Sequence, residues 1–181
     1  MFKKHAGWIV SFLVIVNMIL IFVIYTIHKR YKSAAPQIIP SLDFAPSFAL
    51  NDMKGKRYEL DELFNGSSFV LLIFFSPLDC APCLEEKYLW QRIAEEGRVK
   101  VVGVGRHVDA RELRNWVSNS GLTFPVLYDY ESRVTRNFAI KRTPFKILLD
   151  STRKILLADP PRMSSLEQEE FIFRLNRAIG D

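Results

Sequence analysis

Two cysteines, Cys80 and Cys83, stand in the stretch FSPLDCAPCLEE with Ala81 and Pro82 between them. Thiols at this spacing can exchange electrons as a dithiol–disulfide couple, supply half of a metal site, or pack as small apolar side chains. Their setting favours the first use. SFVLLIFF (Ser68–Phe75) before them has the length and apolarity of a buried strand, and CLEEKYLWQRIAEEG after them reads as a helix. A helix that starts near Cys80 offers that sulfur free backbone N–H groups and the positive end of the helix dipole. Such settings lower a thiol pKa from about 8.5 into the range of about 3.5 to 7.5. Cys83, one turn on, lies deeper and is placed to attack a mixed disulfide formed at Cys80. Pro82 suits a first helical turn, where its missing N–H is not needed. The spacing thus provides a nucleophile, a resolving thiol and a scaffold. A zinc site needs further soft ligands, and the remaining candidates are three histidines: His5 and His28, which flank an apolar run, and the lone His107. No metal is expected.

The elements that must position this pair follow from periodicity and turn signals. APSFALNDMKGKRYELDELFNG predicts a short strand, a turn at Asp52–Gly55, a second short strand and one helical turn. In the helix after the cysteines, Leu84, Tyr88, Trp90 or Gln91, and Ile93 form the expected inward stripe, and Gly97 ends it. VKVVGVGR is a second buried strand. DARELRNWVSNSG is a helix with Asp109 as N-cap and Leu113, Trp116 and Val117 facing inward. TFPVLYD is a short strand or an edge with a proline, ESRVTRNFAI a helix, and PFKILLD followed by KILLA a hairpin. A last helix begins near Ser164, where Ser164 and Glu167 match a capping box. Its stripe is Leu166, Ile172, Leu175 and Ile179, and Gly180 stops it. Strands alternating with helices, closed by a hairpin, give an α/β fold with a mixed central sheet flanked by helices. Cys80 then falls at the carboxyl end of a central strand, where open α/β sheets place their sites.

The amino-terminal part has a different composition. WIVSFLVIVNMILIFVIYTI, residues 8–27, carries no charge, and twenty residues of helix rise about 30 Å, the thickness of a bilayer's hydrocarbon core. Trp8 and Tyr25 lie near its ends, where aromatic rings favour the interface. HKRYK rather than a small-residue site follows, which predicts an uncleaved anchor. The expected organisation is an N-terminus at 1–7, a transmembrane anchor at 8–27, a proline-containing linker at 28–44 and a globular domain at 45–181. The formal charge of +5 belongs to the anchor: residues 1–35 hold five Lys or Arg and no acid, leaving 20 basic against 20 acidic residues in 36–181. A neutral globular part carries no basic field for nucleic acid, while the charges beside the anchor can meet anionic headgroups. Counted alone, Lys3 and Lys4 before the run against Lys29, Arg30 and Lys32 after it mildly favour a cytoplasmic globular part.

From Ala45 to Ala158 the chain resembles the thioredoxin fold, and within it the membrane-anchored TlpA/ResA-like thiol-disulfide oxidoreductases of the redoxin (AhpC/TSA) superfamily. APSFAL resembles that family's A-P-x-F-x-L, GKRYELDEL its G-K-x-x-x-L-x-x-L, and CAPCLEE its C-x-P-C-x-x-E with Glu86 in the acidic place. FPVLYD and FAIKRTPFKILLD resemble its later blocks, in order. The resemblance implies a redox-active Cys80–Cys83 disulfide, with Pro82, Glu86, Thr143 and Pro144 in supporting places and Thr143–Pro144 as a cis-proline loop facing the cysteines. It implies protein thiols or disulfides as substrates, a membrane redox partner that resets the pair, and no cofactor. It also implies an inner-membrane protein whose N-terminus is inside and whose redox domain is outside the cytoplasm (periplasmic), which is preferred here over the count of flanking charges. The chain departs from the family at Asp79, where Trp is usual, at Arg142, where Gly often stands, and at Tyr88, which replaces a proline. SFVLLIFF contains no acid, so Glu86 is the nearest candidate for proton handling, against the alternative of an exposed first-turn carboxylate that only complements the dipole. A peroxiredoxin-type peroxidase would resemble P-x-x-x-T/S-x-x-C, but Ile73 and Pro77 occupy those places. A copper-binding module on the same fold would resemble C-x-x-x-C with a distant histidine, one residue longer than the spacing here.

Overall fold

The computed structural model describes residues 11–25, 42–77, 81–106, 109–162 and 164–180. The chain divides into two compact units, Met1–Pro36 and Gln37–Asp181. In the first, residues 11–25 form a helix, α1, with every side chain exposed. Among the described residues no helix is long and apolar enough to cross a membrane. The apolar run at 8–27 continues past α1 at both ends, onto residues outside those described.

The second unit opens with an antiparallel pair, β1 (Ala49–Asn51) and β2 (Arg57–Glu59). Their connection turns because the Asp52 carboxylate accepts from the backbone N–H of Lys54 and Lys56, and Gly55 takes a left-handed φ of 86°. A 3-10 turn at Asp61–Phe64 follows. The main sheet has five strands in the order β5-β4-β3-β6-β7. They are β3 (Phe69–Phe75), β4 (Lys100–Arg106), β5 (Val126–Asp129), β6 (Phe145–Asp150) and β7 (Ile155–Asp159). β3 pairs in parallel with β4 and antiparallel with β6; β4 pairs in parallel with β5, and β6 antiparallel with β7. The sheet is therefore mixed, as alternating elements closed by a hairpin predict.

β3 is apolar throughout because both of its faces are covered. Leu71, Ile73 and Phe75 join one core with Leu89, Trp90 and Ile93 of α2 (Ala81–Glu96), Leu113 of α3 (Ala110–Ser120), and Phe171 and Leu175 of α5 (Ser165–Ile179). Val70, Leu72 and Phe74 join the other core with Leu60, Leu63, Val134 and Phe138. The helix expected over ESRVTRNFAI is a single short one, α4 (Arg133–Asn137), started by the buried Asp129 carboxylate that accepts from the N–H groups of Val134 and Thr135. Asp109 caps α3 by accepting from Arg111 N at 2.7 Å, and Ser164 and Glu167 form the expected capping box on α5.

Two expected stripes need correction. In α2 Leu84 is 52% and Tyr88 71% exposed, whereas Cys83, Glu86, Leu89, Trp90 and Ile93 are buried. Trp90 and Ile93 face inward as expected, but Leu84 and Tyr88 do not, because Cys83 and the charged Glu86 take the inward places in the first turns. In α5 Leu166 is exposed and Phe171 is buried with Leu175, since packing begins only after the first turn.

Candidate active site

The site is built where β3 hands over to α2. Cys83 lies in the first turn of α2, is fully buried and is disulfide-bonded. Cys80, Asp79 and His107 lie outside the described residues. Pro82 is half-buried, one position before Cys83. The register Phe74↔Phe145 brings the start of β6 beside the carboxyl end of β3, so Thr143 and Pro144 arrive at the end of the sheet from which α2 departs. Pro144 is buried, Thr143 half-buried and Arg142 exposed, and the Thr143–Pro144 bond is cis. Among the described residues no cluster of three or more His, Cys, Asp or Glu is arranged to hold a metal ion.

Beneath Cys83 lies a charged network that hydrophobic periodicity does not reveal. Glu86 is one turn further along α2, so it shares the face of Cys83, and its exposure is 0%. The alternative of an exposed carboxylate that only complements the dipole is thereby overturned. Its Oε2 accepts from Lys146 Nζ at 2.5 Å and from Trp90 Nε1 at 3.3 Å, and its Oε1 accepts from the backbone N–H of Arg162. Burial pushes the Glu86 carboxyl above its ordinary value, against the opposing pull of the Lys146 ammonium and the three donors.

Lys146 is itself 0% exposed. β6 alternates, so Phe145 and Ile147 face one core while Lys146 and Leu148 face the other, toward α2 and α5. Directly across from Lys146 on β7 stands Asp159, also buried, with Nζ to Oδ2 at 3.4 Å. The ammonium also donates to the Pro160 carbonyl at 3.1 Å and lies 5.0 Å from the centre of the Phe171 ring. Asp159 holds a fork of its own: Arg162 Nη2 donates to Oδ1 at 2.5 Å, Arg162 Nε to Oδ2 at 2.9 Å, and Arg174 Nη1 to Oδ1 at 2.9 Å. Sequence reasoning missed Lys146, Asp159 and Arg162. The available signal was a lysine inside an otherwise apolar strand: a buried ammonium requires buried acceptors, and Glu86 is an acid on a neighbouring element.

A mixed sheet covered on both faces, with a disulfide-bonded cysteine in the first turn of the helix that follows the central strand, defines a thioredoxin-like thiol-disulfide oxidoreductase. The chain belongs to the AhpC/TSA family, whose model matches residues 42–161. It is 25% identical over 155 residues to the thiol-disulfide oxidoreductase ResA of Bacillus cereus, covering 83% of this chain and 87% of that protein. Among solved structures it is similar in fold to a thiol-disulfide oxidoreductase from Bacteroides fragilis, with a TM-score of 0.61 and 24% identity over 73% of this chain and 98% of that one. It is similar in fold also to the peroxidoxin BcpB of Mycobacterium tuberculosis, with a TM-score of 0.63 and 22% identity over 77% of this chain and 97% of that one. These likenesses show the fold, and the ResA relatives show the thiol-disulfide oxidoreductase activity.

Proposed function

We propose that this protein is a membrane-anchored, extracytoplasmic thiol-disulfide oxidoreductase that exchanges disulfides with partner proteins through Cys80 and Cys83. The observation that supports this most is Cys83: buried, disulfide-bonded, and one helical turn above a buried carboxylate. In the reductive direction the Cys80 thiolate attacks a substrate disulfide, forming a mixed disulfide and releasing one substrate thiolate. Cys83 then attacks Cys80 Sγ, which forms the internal disulfide and releases the second substrate thiolate. Two electrons pass to the substrate with two protons, and Glu86 is the buried acceptor nearest in the helix for the Cys83 proton. Pro82 shapes the first turn of α2, and Thr143 and Pro144 provide the edge on which an extended substrate segment lies.

Residues 8–27 serve as the anchor, with the redox domain on the periplasmic side of the inner membrane, where a membrane redox partner resets the pair. The length and apolarity of the run support this, together with the ResA relatives.

The test is trapping. In cells, Cys83→Ser is expected to accumulate mixed disulfides with partner proteins, resolved on non-reducing gels, whereas Cys80→Ser is not. Equal trapping by both variants would overturn the assignment of roles. The potential of the couple in the full chain, equilibrated against dithiol buffers, sets its direction. A value near about −270 mV marks a reductant and one near about −120 mV an oxidant.

A further inference from the structure

The buried network divides its charge unevenly. Asp159 of β7 faces three cations: Lys146 of β6, Arg162 of the segment after β7, and Arg174 of α5. Among the described residues Glu86 of α2 faces one, Lys146, with the Trp90 indole and the Arg162 backbone N–H as neutral donors. Glu170 of α5 reaches the network through Arg162, at 3.4 Å, and Glu167 acts on the same guanidinium. Asp159 is thus ringed by three cations, whereas Glu86 has Lys146 as its one cationic neighbour among the described residues. Lys146 Nζ donates to Glu86 and to the Pro160 carbonyl and lies 3.4 Å from Asp159 Oδ2, so the buried ammonium is shared between the two acids.

We propose that Lys146 is a positioning residue for the redox reaction: by its contact with Glu86 it sets the proton affinity of that carboxylate, and through it the pH dependence of the Cys80–Cys83 couple. The proposal rests on the oxidoreductase reading. Cys83 and Glu86 share one face of α2 a turn apart, both without solvent. When the disulfide is reduced, two electrons enter, the S–S bond breaks, and the buried Cys83 sulfur must take a proton or hold an unsolvated charge. An ionised Glu86 disfavours the Cys83 thiolate; a protonated Glu86 has a proton to give. Lys146 decides which form is present, and Asp159 tempers it by competing for the same ammonium. Burial raises the Glu86 carboxyl, and the Lys146 charge is the largest opposing influence, ahead of the hydrogen bonds from the Arg162 N–H and Trp90.

The experiment uses the full chain in detergent. The carboxylic-acid stretching band of Glu86, identified by its loss in Glu86→Gln, is followed against pH by infrared spectroscopy. The potential of the disulfide couple is measured over the same range. Lys146→Met is expected to raise the Glu86 midpoint by about one to three pH units, tenfold or more in proton affinity. Lys146→Arg should return it toward the wild-type value. Asp159→Asn is expected to move it the other way, because Lys146 then serves Glu86 alone. It is the informative variant where Lys146→Met does not fold. The bend in potential against pH should move with the midpoint, and Lys146→Met should have no such effect in a Glu86→Gln background. Glu86 midpoints that coincide in wild type, Lys146→Met and Asp159→Asn overturn the proposal. So does a moved midpoint with an unmoved potential curve. Failure of the wild-type chain to form a reversible couple overturns the oxidoreductase reading instead, and with it the redox half of this inference, while a moved midpoint would still establish the control of Glu86 by Lys146.

Discussion

Glu86 shows how a residue's neighbours set its role. Burial raises its carboxyl above the ordinary 4.5, so the folded state favours its neutral form. Its contribution to stability is therefore fully present below the ordinary value and is lost as pH rises through the raised one. The urea midpoint of the wild type should fall across that window, and Glu86→Gln should remove this fall; parallel curves for the two proteins would count against a titrating Glu86. Truncation has a separate effect. Glu86→Leu leaves the Lys146 ammonium buried with Asp159 as its one carboxylate and should cost about 3 kcal/mol, read from denaturant unfolding. A Cys83→Ser change, by contrast, alters a neutral buried site and should leave the Glu86 midpoint close to its value in the reduced wild type.

At the scale of elements, α2 is the informative case. Its inward face runs through Cys83, Glu86, Leu89, Trp90 and Ile93, and its outward face carries Leu84 and Tyr88. Leu89→Ala should destabilise by about 2 to 5 kcal/mol, while Leu84→Ser and Tyr88→Ser should each stay within about 0.5 kcal/mol. The reverse ranking in a denaturation series would restore the stripe that apolarity alone suggests. The β6–β7 hairpin depends on Asp150. Burial alone would raise its carboxyl. Hydrogen bonds from the Thr152 hydroxyl and the N–H groups of Lys154 and Thr152 outweigh that and hold it below the ordinary value. Its contribution is present above the ordinary carboxylate range and lost as pH falls through the lowered one. Asp150→Ala should cost about 1 kcal/mol at neutral pH and less in acid. Ser164→Ala, which removes the α5 cap, should cost about 1 kcal/mol without that acid dependence, since the lost acceptor is a hydroxyl.

At the scale of the whole molecule, charge and hydropathy separate two parts of different nature. The basic excess lies in residues 1–35 and the rest is formally neutral. For the proposed anchor, the full chain should remain with membranes through an alkaline carbonate wash. Ile19→Lys, in the middle of the apolar run, should weaken retention, since a lysine at the bilayer centre costs about 2.5 to 3.5 kcal/mol. Release of the unsubstituted chain by the wash would remove the anchor from the proposal. High salt alone should not release it, because apolar burial rather than headgroup attraction would hold it.

What the sequence determined by itself is everything governed by local pattern. The apolar run of β3, the turn at Asp52–Gly55, the caps at Asp109 and Ser164, and the mixed α/β order all follow from periods of 2 and 3.6 and from turn chemistry among near neighbours. The CxxC and its strand-to-helix setting were legible for the same reason. Tertiary structure alone decided which carboxylate is buried and what lies against it. Glu86, Lys146 and Asp159 come from α2, β6 and β7, and the Glu86–Lys146 contact joins residues 60 positions apart. A charged residue in a sequence reads as solvent-facing because burial without a partner is prohibitive. Only the packed fold reveals that the partner is present.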